Sequence, residues 1–343
     1  MKICVLALDD VFDTGLTAVL DILSTANELA AAQGFAAAPF EVELVGMRRR
    51  IRTAQGFSVA VQPAAAVQRP DWVFVPAMNA RQPDSLAAAL DRPDAREARR
   101  HLRTWHAKGV GIAAACIGTF LLAEAGLLDH GEATTTWSLA PFFRQRYPQV
   151  RLEESRMIAA SRRVVTAGAA MGHLDLALWL VRQASPELAA LVARFLLIDR
   201  RSSQAQYIIP DHLAHADPLI ARFERWARDN LSRGFSLQEA TGALAVGTRT
   251  LQRRTEAVLG KSPLAFVQDL RVERAQQLVA LGRDLDSIAT EVGYADSATL
   301  RTLLRRRLGR GVRELRAERL GQARVPASAR APLSKGGTGG TGV

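Results

Sequence analysis

SLQEATGALAVGTRTLQRRTEAVLG (236–260) and DSIATEVGYADSATLRTLLRRRLG (286–309) repeat one short pattern: a small helix, a turn and a second helix. In the first copy Leu237, Ala240, Leu244, Leu251 and Val258 fall at helical spacing, and Val246-Gly247 interrupts the run. Ser236 followed by Glu239 is a capping box, so a helix begins just after Ser236. In the second copy Ile288, Ala289 and Val292 face inward, Gly293 breaks the helix, and Asp296 or Ser297 caps the next one. Between them SPLAFVQDLRVERAQQLVAL (262–281) carries Leu264, Val267, Leu270, Ala275, Leu278 and Leu281 on one stripe, the pattern of a helix with a single buried face.

Two such units on one connector suit successive major-groove segments of a duplex, roughly 34 Å apart. Double-stranded DNA is therefore the expected partner. From Pro218 to Arg324 there are 20 Arg and Lys against 12 Asp and Glu, a net of +8, which fits a surface that neutralises phosphates. A recognition helix puts its exposed N-terminal residues on base edges. In the first unit these are Thr248, Arg249, Gln252 and Arg253, with Leu251 turned inward. In the second they are Ser297, Ala298 and Arg301, while Arg305, Arg306 and Arg307 lie further along, where phosphates would be met. Arg matches guanine O6/N7 and Gln matches adenine.

Over about 80 residues this half resembles the AraC/XylS regulators. The resemblance is carried by Ala245-Val246, Arg249, Leu251-Gln252-Arg253, Gly260-Lys261-Ser262-Pro263, Arg271, Arg274-Ala275, Leu278, Ile288-Ala289, Val292-Gly293-Tyr294 and Leu308-Gly309. The chain departs from that pattern at Gly247 (usually a capping Ser), Thr255 (an aromatic), Thr302 (an Arg) and Gly311-Val312 (Ser-Pro). A Gly cap costs only a few tenths of a kcal/mol relative to Ser, so the fold should survive the first change.

The 343 residues leave room for two domains, and 48% apolar with 23% charged residues is the balance of a soluble globular protein. Net charge is +11. No run of about 18 apolar residues occurs, so no membrane span is expected. The start, MKICVLALDD, lacks a signal-peptide pattern, and two cysteines form no disulfide framework, so a cytoplasmic setting is expected. The N-terminal half alternates short apolar runs (residues 2–8, 41–47, 72–77 and 110–116) with helical stretches such as Thr14 to about Gln33. That alternation predicts an α/β domain, a parallel sheet with helices on both faces, ahead of an all-α domain with two helix-turn-helix units.

In AAACIGTFLLAEAGLL (113–128) an apolar strand ends at Cys116, Gly118 permits a tight turn, and a helix begins. Such an elbow lifts one side chain to the carboxyl end of the sheet, beside backbone N–H groups. Together with Ala133-Thr134-Thr135, Trp137 and Thr166-Ala167-Gly168 it resembles the PfpI-like branch of the class I glutamine-amidotransferase-like superfamily. In the superfamily's enzymes a His next to the Cys, or just before the Trp, serves as base; here those positions hold Ile117 and Thr136. The expected reading is a catalytically degenerate elbow. Asp13, Cys116 and Ile117 are then candidates for a ligand pocket bordered by residues 12–17, 76–80 and 116–119 at the carboxyl ends of the strands.

Residues 1–198 are thus expected to form a sensor or dimerisation domain, 199–217 a linker, 218–320 the DNA-binding domain and 321–343 a disordered Ala/Pro/Ser/Gly tail. His212 and His215 are spaced i, i+3 but have no further ligand nearby, so they are read as linker residues, and no metal or cofactor is expected. Leu219, Ile220, Phe223, Trp226, Ala227 and Leu231 predict an amphipathic helix packed on the first helix-turn-helix unit. In combination the chain resembles the GlxA-like regulators, which implies a homodimer, a small-molecule effector and promoter binding. Two other readings stay open: a Cys-dependent hydrolase or hydratase with an appended DNA-binding domain, and a nonspecific DNA-coating protein.

Overall fold

The computed structural model describes residues 1–35, 40–199, 201–209, 213, 217–308 and 311–315. His212, His215 and the 321–343 tail fall outside them. The N-terminal half runs β1 (Lys2–Leu6), α1 (Asp13–Gln33), β2 (Glu41–Gly46), the hairpin β3 (Arg50–Arg52) and β4 (Ser58–Ala60), β5 (Gln62–Pro63) and β6 (Trp72–Val75). It continues through α2 (Pro83–Asp91), α3 (Pro93–Ala107), β7 (Gly111–Ala115), α4 (Gly118–Glu124), β8 (Glu132–Ala133) and α5 (Ala140–Arg146). Then come β9 (Arg151–Leu152), β10 (Ile158–Ser161), β11 (Val164–Ala167), α6 (Gly172–Ala184) and α7 (Pro186–Phe195).

Seven strands form one sheet in the order β10-β11-β7-β6-β1-β2-β5, parallel throughout except for the β10–β11 edge pair. The strands alternate between two buried cores. Cys4, Leu6, Val73, Val75, Ile112 and Ala114 face α2, α3 and α4, while Ile3, Val5, Phe74, Ala113 and Ala115 face α1, α6 and α7. Burial on both faces explains why these strands read as continuous apolar runs. The α/β expectation holds, with an antiparallel edge added by β10.

The C-terminal half is helical: α8 (Pro218–Asp229), α9 (Leu237–Leu244), α10 (Thr248–Leu259), α11 (Pro263–Ala280), α12 (Leu285–Glu291) and α13 (Ser297–Leu308). As expected, α8 packs on the first unit, where Arg222 donates to the Leu244 carbonyl at 2.7 Å; it also meets α11, with Phe223 5.7 Å from Phe266, centroid to centroid. By contacts the chain divides inside α11, with Met1–Asp229 and Ser236–Val267 in one unit and Asn230–Phe235 with Gln268 onward in the other. The described residues of the stretch read as a linker, 199–217, lie within the first of these.

Three positions in the predicted stripes differ from expectation. Leu264 and Leu281 are 49% and 68% exposed, and in α10 it is Leu259, not Val258, that is fully buried. A step of three residues falls roughly 60° short of a full turn, so Leu264, Val267 and Leu270 cannot share one narrow face. Leu281 lies past the last helical residue. Phe266, Val267, Leu270, Val272, Ala275, Leu278 and Val279 are the residues α11 buries.

Candidate nucleic-acid interface and elbow site

The first helix-turn-helix unit is built from a cap, a left-handed turn and a second helix. Ser236 Oγ accepts the Glu239 N–H at 3.3 Å and starts α9. Ala245 ends it at φ 53°, and Gly247 stands at the head of α10 without a side-chain cap. Leu251 and Thr255 are fully buried; the Thr255 hydroxyl donates back to the Leu251 carbonyl at 2.7 Å, so a small residue is accommodated at that inner position. Thr248, Arg249, Gln252 and Arg253 project from the opposite face and are exposed.

In the second unit Asp284 caps α12 through the Ser287 N–H at 2.8 Å, and Asp296 caps α13 through the Thr299 N–H at 2.7 Å. The carboxylate at Asp296 is held below its ordinary pKa by those Thr299 bonds. Leu300 and Leu304 are buried; Ala298, Arg301, Arg305 and Arg306 are exposed, and Ser297 is half-buried.

The ion pairs sort the arginines. Arg254 pairs with Asp217, Arg274 with Glu291, and Arg307 with Asp269 and Gln268, while buried Arg271 donates to the Leu231 and Arg233 carbonyls and lies 5.1 Å from the centre of the Tyr294 ring. These four hold the helices together. Arg249, Arg253, Arg301, Arg305 and Arg306 have no acidic partner among the described residues and face solvent. Arg307, grouped with its neighbours by sequence, is therefore already engaged, whereas the other five are free to meet an anion.

The C-terminal end of α10 is anchored to the α/β domain. Arg144 of α5 donates to the Val258 carbonyl at 3.4 Å and pairs with Glu154, to which Lys261 also lies 4.0 Å away. Nothing in the sequence pattern signals this contact, because Arg144 and Val258 are 114 residues apart.

At the elbow, Cys116 adopts φ 56° and its N–H donates to the carbonyls of Ala167 (3.0 Å) and Gly168 (2.9 Å). A Cβ on Gly118 would come within 2.5 Å of the Val75 carbonyl oxygen, so the turn requires glycine there. The thiol and Ile117 are both buried. Burial pushes the Cys116 pKa up to about 11, against the opposing hydrogen bonds from the Ile117 amide and the Thr136 hydroxyl. At neutral pH the sulfur is a thiol, not the thiolate that nucleophilic attack needs.

Sequence reading did not single out His173, at the start of α6. Its Nε2 accepts the Ala77 N–H at 3.1 Å, so Nδ1 carries the proton donated to the Ala170 carbonyl at 2.6 Å. Burial pushes its pKa down to about 4, and with both nitrogens bound to backbone it is placed as a brace, not a base. Asp13 Oδ2 accepts the Gln55 N–H at 3.0 Å, while its Oδ1 is buried without a partner among the described residues. No hydrogen bond joins Asp13 to Cys116 in the described structure. The cavity beside the elbow, lined by Val11, Pro76, Met78 and Gly118, has a volume of about 10 Å³, enough for about one water molecule.

Gln204 also escaped notice, since its stretch reads as linker. It is buried; its Nε2 donates to the Thr135 carbonyl at 2.9 Å and its Oε1 accepts the Ala169 N–H at 2.9 Å. Thr135 in turn donates to the Cys116 carbonyl at 2.7 Å. Two hydrogen bonds thus link residue 204 to the elbow backbone.

A DJ-1/PfpI family model matches residues 1–183, and a helix-turn-helix domain model matches residues 241–318. Among curated proteins the chain is similar to HTH-type transcriptional regulator ArgR of Pseudomonas aeruginosa, 28% identical over 62% of this chain and 66% of that one. HTH-type transcriptional regulator GbdR of the same species is 26% identical over 55% of this chain and 53% of its own length. The chain thus spans between about half and two thirds of these relatives. Among solved structures, an AraC family transcriptional regulator from Pseudomonas putida aligns with 57% of this chain and 98% of its own, at 23% identity and a TM-score of 0.48. Drosophila melanogaster DJ-1beta aligns with 58% and 98%, at 16% identity and a TM-score of 0.47.

Proposed function

Because the chain belongs to the DJ-1/PfpI family through residues 1–183 and carries an AraC-type helix-turn-helix domain in residues 241–318, we propose that it regulates transcription by binding specific DNA sequences. The observation that carries this reading is the sorting of the arginines. Arg254, Arg271, Arg274 and Arg307 are consumed by internal partners, while Arg249 and Arg253, with no acidic partner among the described residues, stand beside Gln252 on one exposed face of α10. Cations left unpaired on a recognition helix are available for guanine edges and phosphates. Thr248, Arg249, Gln252 and Arg253 are the proposed base readers of the first unit, and Ser297, Ala298 and Arg301 those of the second. Arg305 and Arg306 are assigned to phosphates.

Within this proposal residues 1–198 form a non-catalytic sensing or dimerisation domain, and residues 218–320 bind DNA as a homodimer. The raised thiol pKa and the engagement of both His173 nitrogens support a non-catalytic reading, since at neutral pH the sulfur is a thiol and His173 has no nitrogen left to act as base. Selection of duplexes from a random pool by the full chain tests the function: a recurrent motif is expected. Equal retention of all sequences at moderate salt would leave a nonspecific coating protein instead.

A further inference from the structure

Asp175, Leu178, Trp179 and Arg182 stand at i, i+3, i+4 and i+7 on α6, so they share one face of that helix. With Ile198 and Arg201, which follow α7, this face bounds a cleft of about 440 Å³. That lies within the range of volumes that hold small molecules, whereas the elbow cavity of about 10 Å³ does not. The cleft is on the α6 side of the β10 edge, and Thr136, Ile117 and Cys116 are not among its walls.

The charges of the cleft are unequal. Arg201 donates to Asp175 Oδ2 at 2.6 Å and to the Met171 carbonyl at 2.8 Å, so the one carboxylate is neutralised. Arg182 is exposed and has no acidic partner among the described residues, which leaves one uncompensated cation. Besides Ser202, the other walls are apolar and include Leu178, Ile198 and the half-buried indole of Trp179, which stands edge-on to Trp72 at 5.4 Å and 80°.

We propose that this cleft, and not the cysteine elbow, is the ligand site of the N-terminal domain, and that it takes a small monocarboxylate with a short apolar body. The carboxylate is met by Arg182 with Arg201 behind it, and the body lies on Leu178, Trp179 and Ile198. A monoanion balances Arg182, the cation of the cleft without an acidic partner among the described residues; a phosphate dianion would leave a charge unmatched. Ile198 and Arg201 belong to the chain between α7 and α8, so an occupant touches the segment that leads to the helix-turn-helix units. The regulatory meaning of the site rests on the proposed function, but binding itself does not.

Thermal unfolding and tryptophan fluorescence of the full chain, without DNA, test this with hexanoate, hexanamide and inorganic phosphate as probes. Hexanoate should raise the melting temperature by about 2–4 °C at ten times its half-saturating concentration, and hexanamide and phosphate should not. Arg182→Ala, a change at an exposed position, should weaken hexanoate at least about tenfold, and Cys116→Ser should leave it unchanged. No shift with hexanoate, an equal shift with hexanamide or phosphate, undiminished binding by Arg182→Ala, or loss of binding in Cys116→Ser would each overturn the assignment. DNA selection is a separate readout, so failure here and failure of the regulator reading are told apart.

Discussion

Cys116 combines a strained backbone, at φ 56°, with a sulfur that burial keeps protonated up to about pH 11. In a Cys4→Ser background, which removes the other thiol, alkylation of Cys116 should climb about tenfold per pH unit from pH 7 to near pH 11. A rate that levels off at pH 8 or 9 would reveal an activated thiol and reopen the hydrolase reading. His173 behaves oppositely, because burial disfavours its charged form and its folded pKa of about 4 lies below the ordinary 6.5. The unfolded chain therefore binds the extra proton between pH 6.5 and 4, and stability falls as pH drops through that window, by about 3 kcal/mol in all. Protonation of Nε2 would also break its bond from Ala77. Urea unfolding at pH 7 and pH 4 should show that loss, and His173→Gln should reduce the difference; an unchanged difference would place the acid sensitivity elsewhere.

In α10 the proposed base readers stand at one end and the anchor to Arg144 at the other. Arg253→Ala should cost specific binding about 1–3 kcal/mol and alter base preference, read by repeating the duplex selection. An unchanged motif would remove Arg253 from the base readers. At the other end of the helix, Gly260 sits at φ 66°, where a Cβ would also enter the space of the Arg144 guanidinium. Gly260→Ala should lower stability by about 1 kcal/mol or more through that strain, whereas Arg144→Ala should mainly speed amide exchange at residues 258–261. The helix phase of α10 was legible because its buried and exposed faces alternate within one turn. Its anchor was not, because Arg144 belongs to another part of the chain. The stripe of α11 was legible only in its middle, where Val267 to Leu278 are enclosed, and failed at Leu264 and Leu281, where the ends meet solvent.

At the scale of the molecule, the net charge of +11 makes any DNA contact salt-dependent. Arg306→Ala should weaken all duplexes alike and reduce the slope of log affinity against log salt by about 1. A sequence-dependent loss would move Arg306 into the base-reading set. No helix among the described residues is long and apolar enough to cross a membrane. The sequence by itself determined the alternation of strands and helices, the elbow glycine and the two helix-turn-helix patterns, because each is written in residues no more than a few turns apart. Only the tertiary structure decided that the elbow thiol is protonated, that His173 braces the backbone at Ala77 and Ala170 and Gln204 the elbow, and which helix-turn-helix arginines lack an acidic partner among the described residues. Those properties depend on burial and on partners as far as 96 residues away, and no local period encodes them.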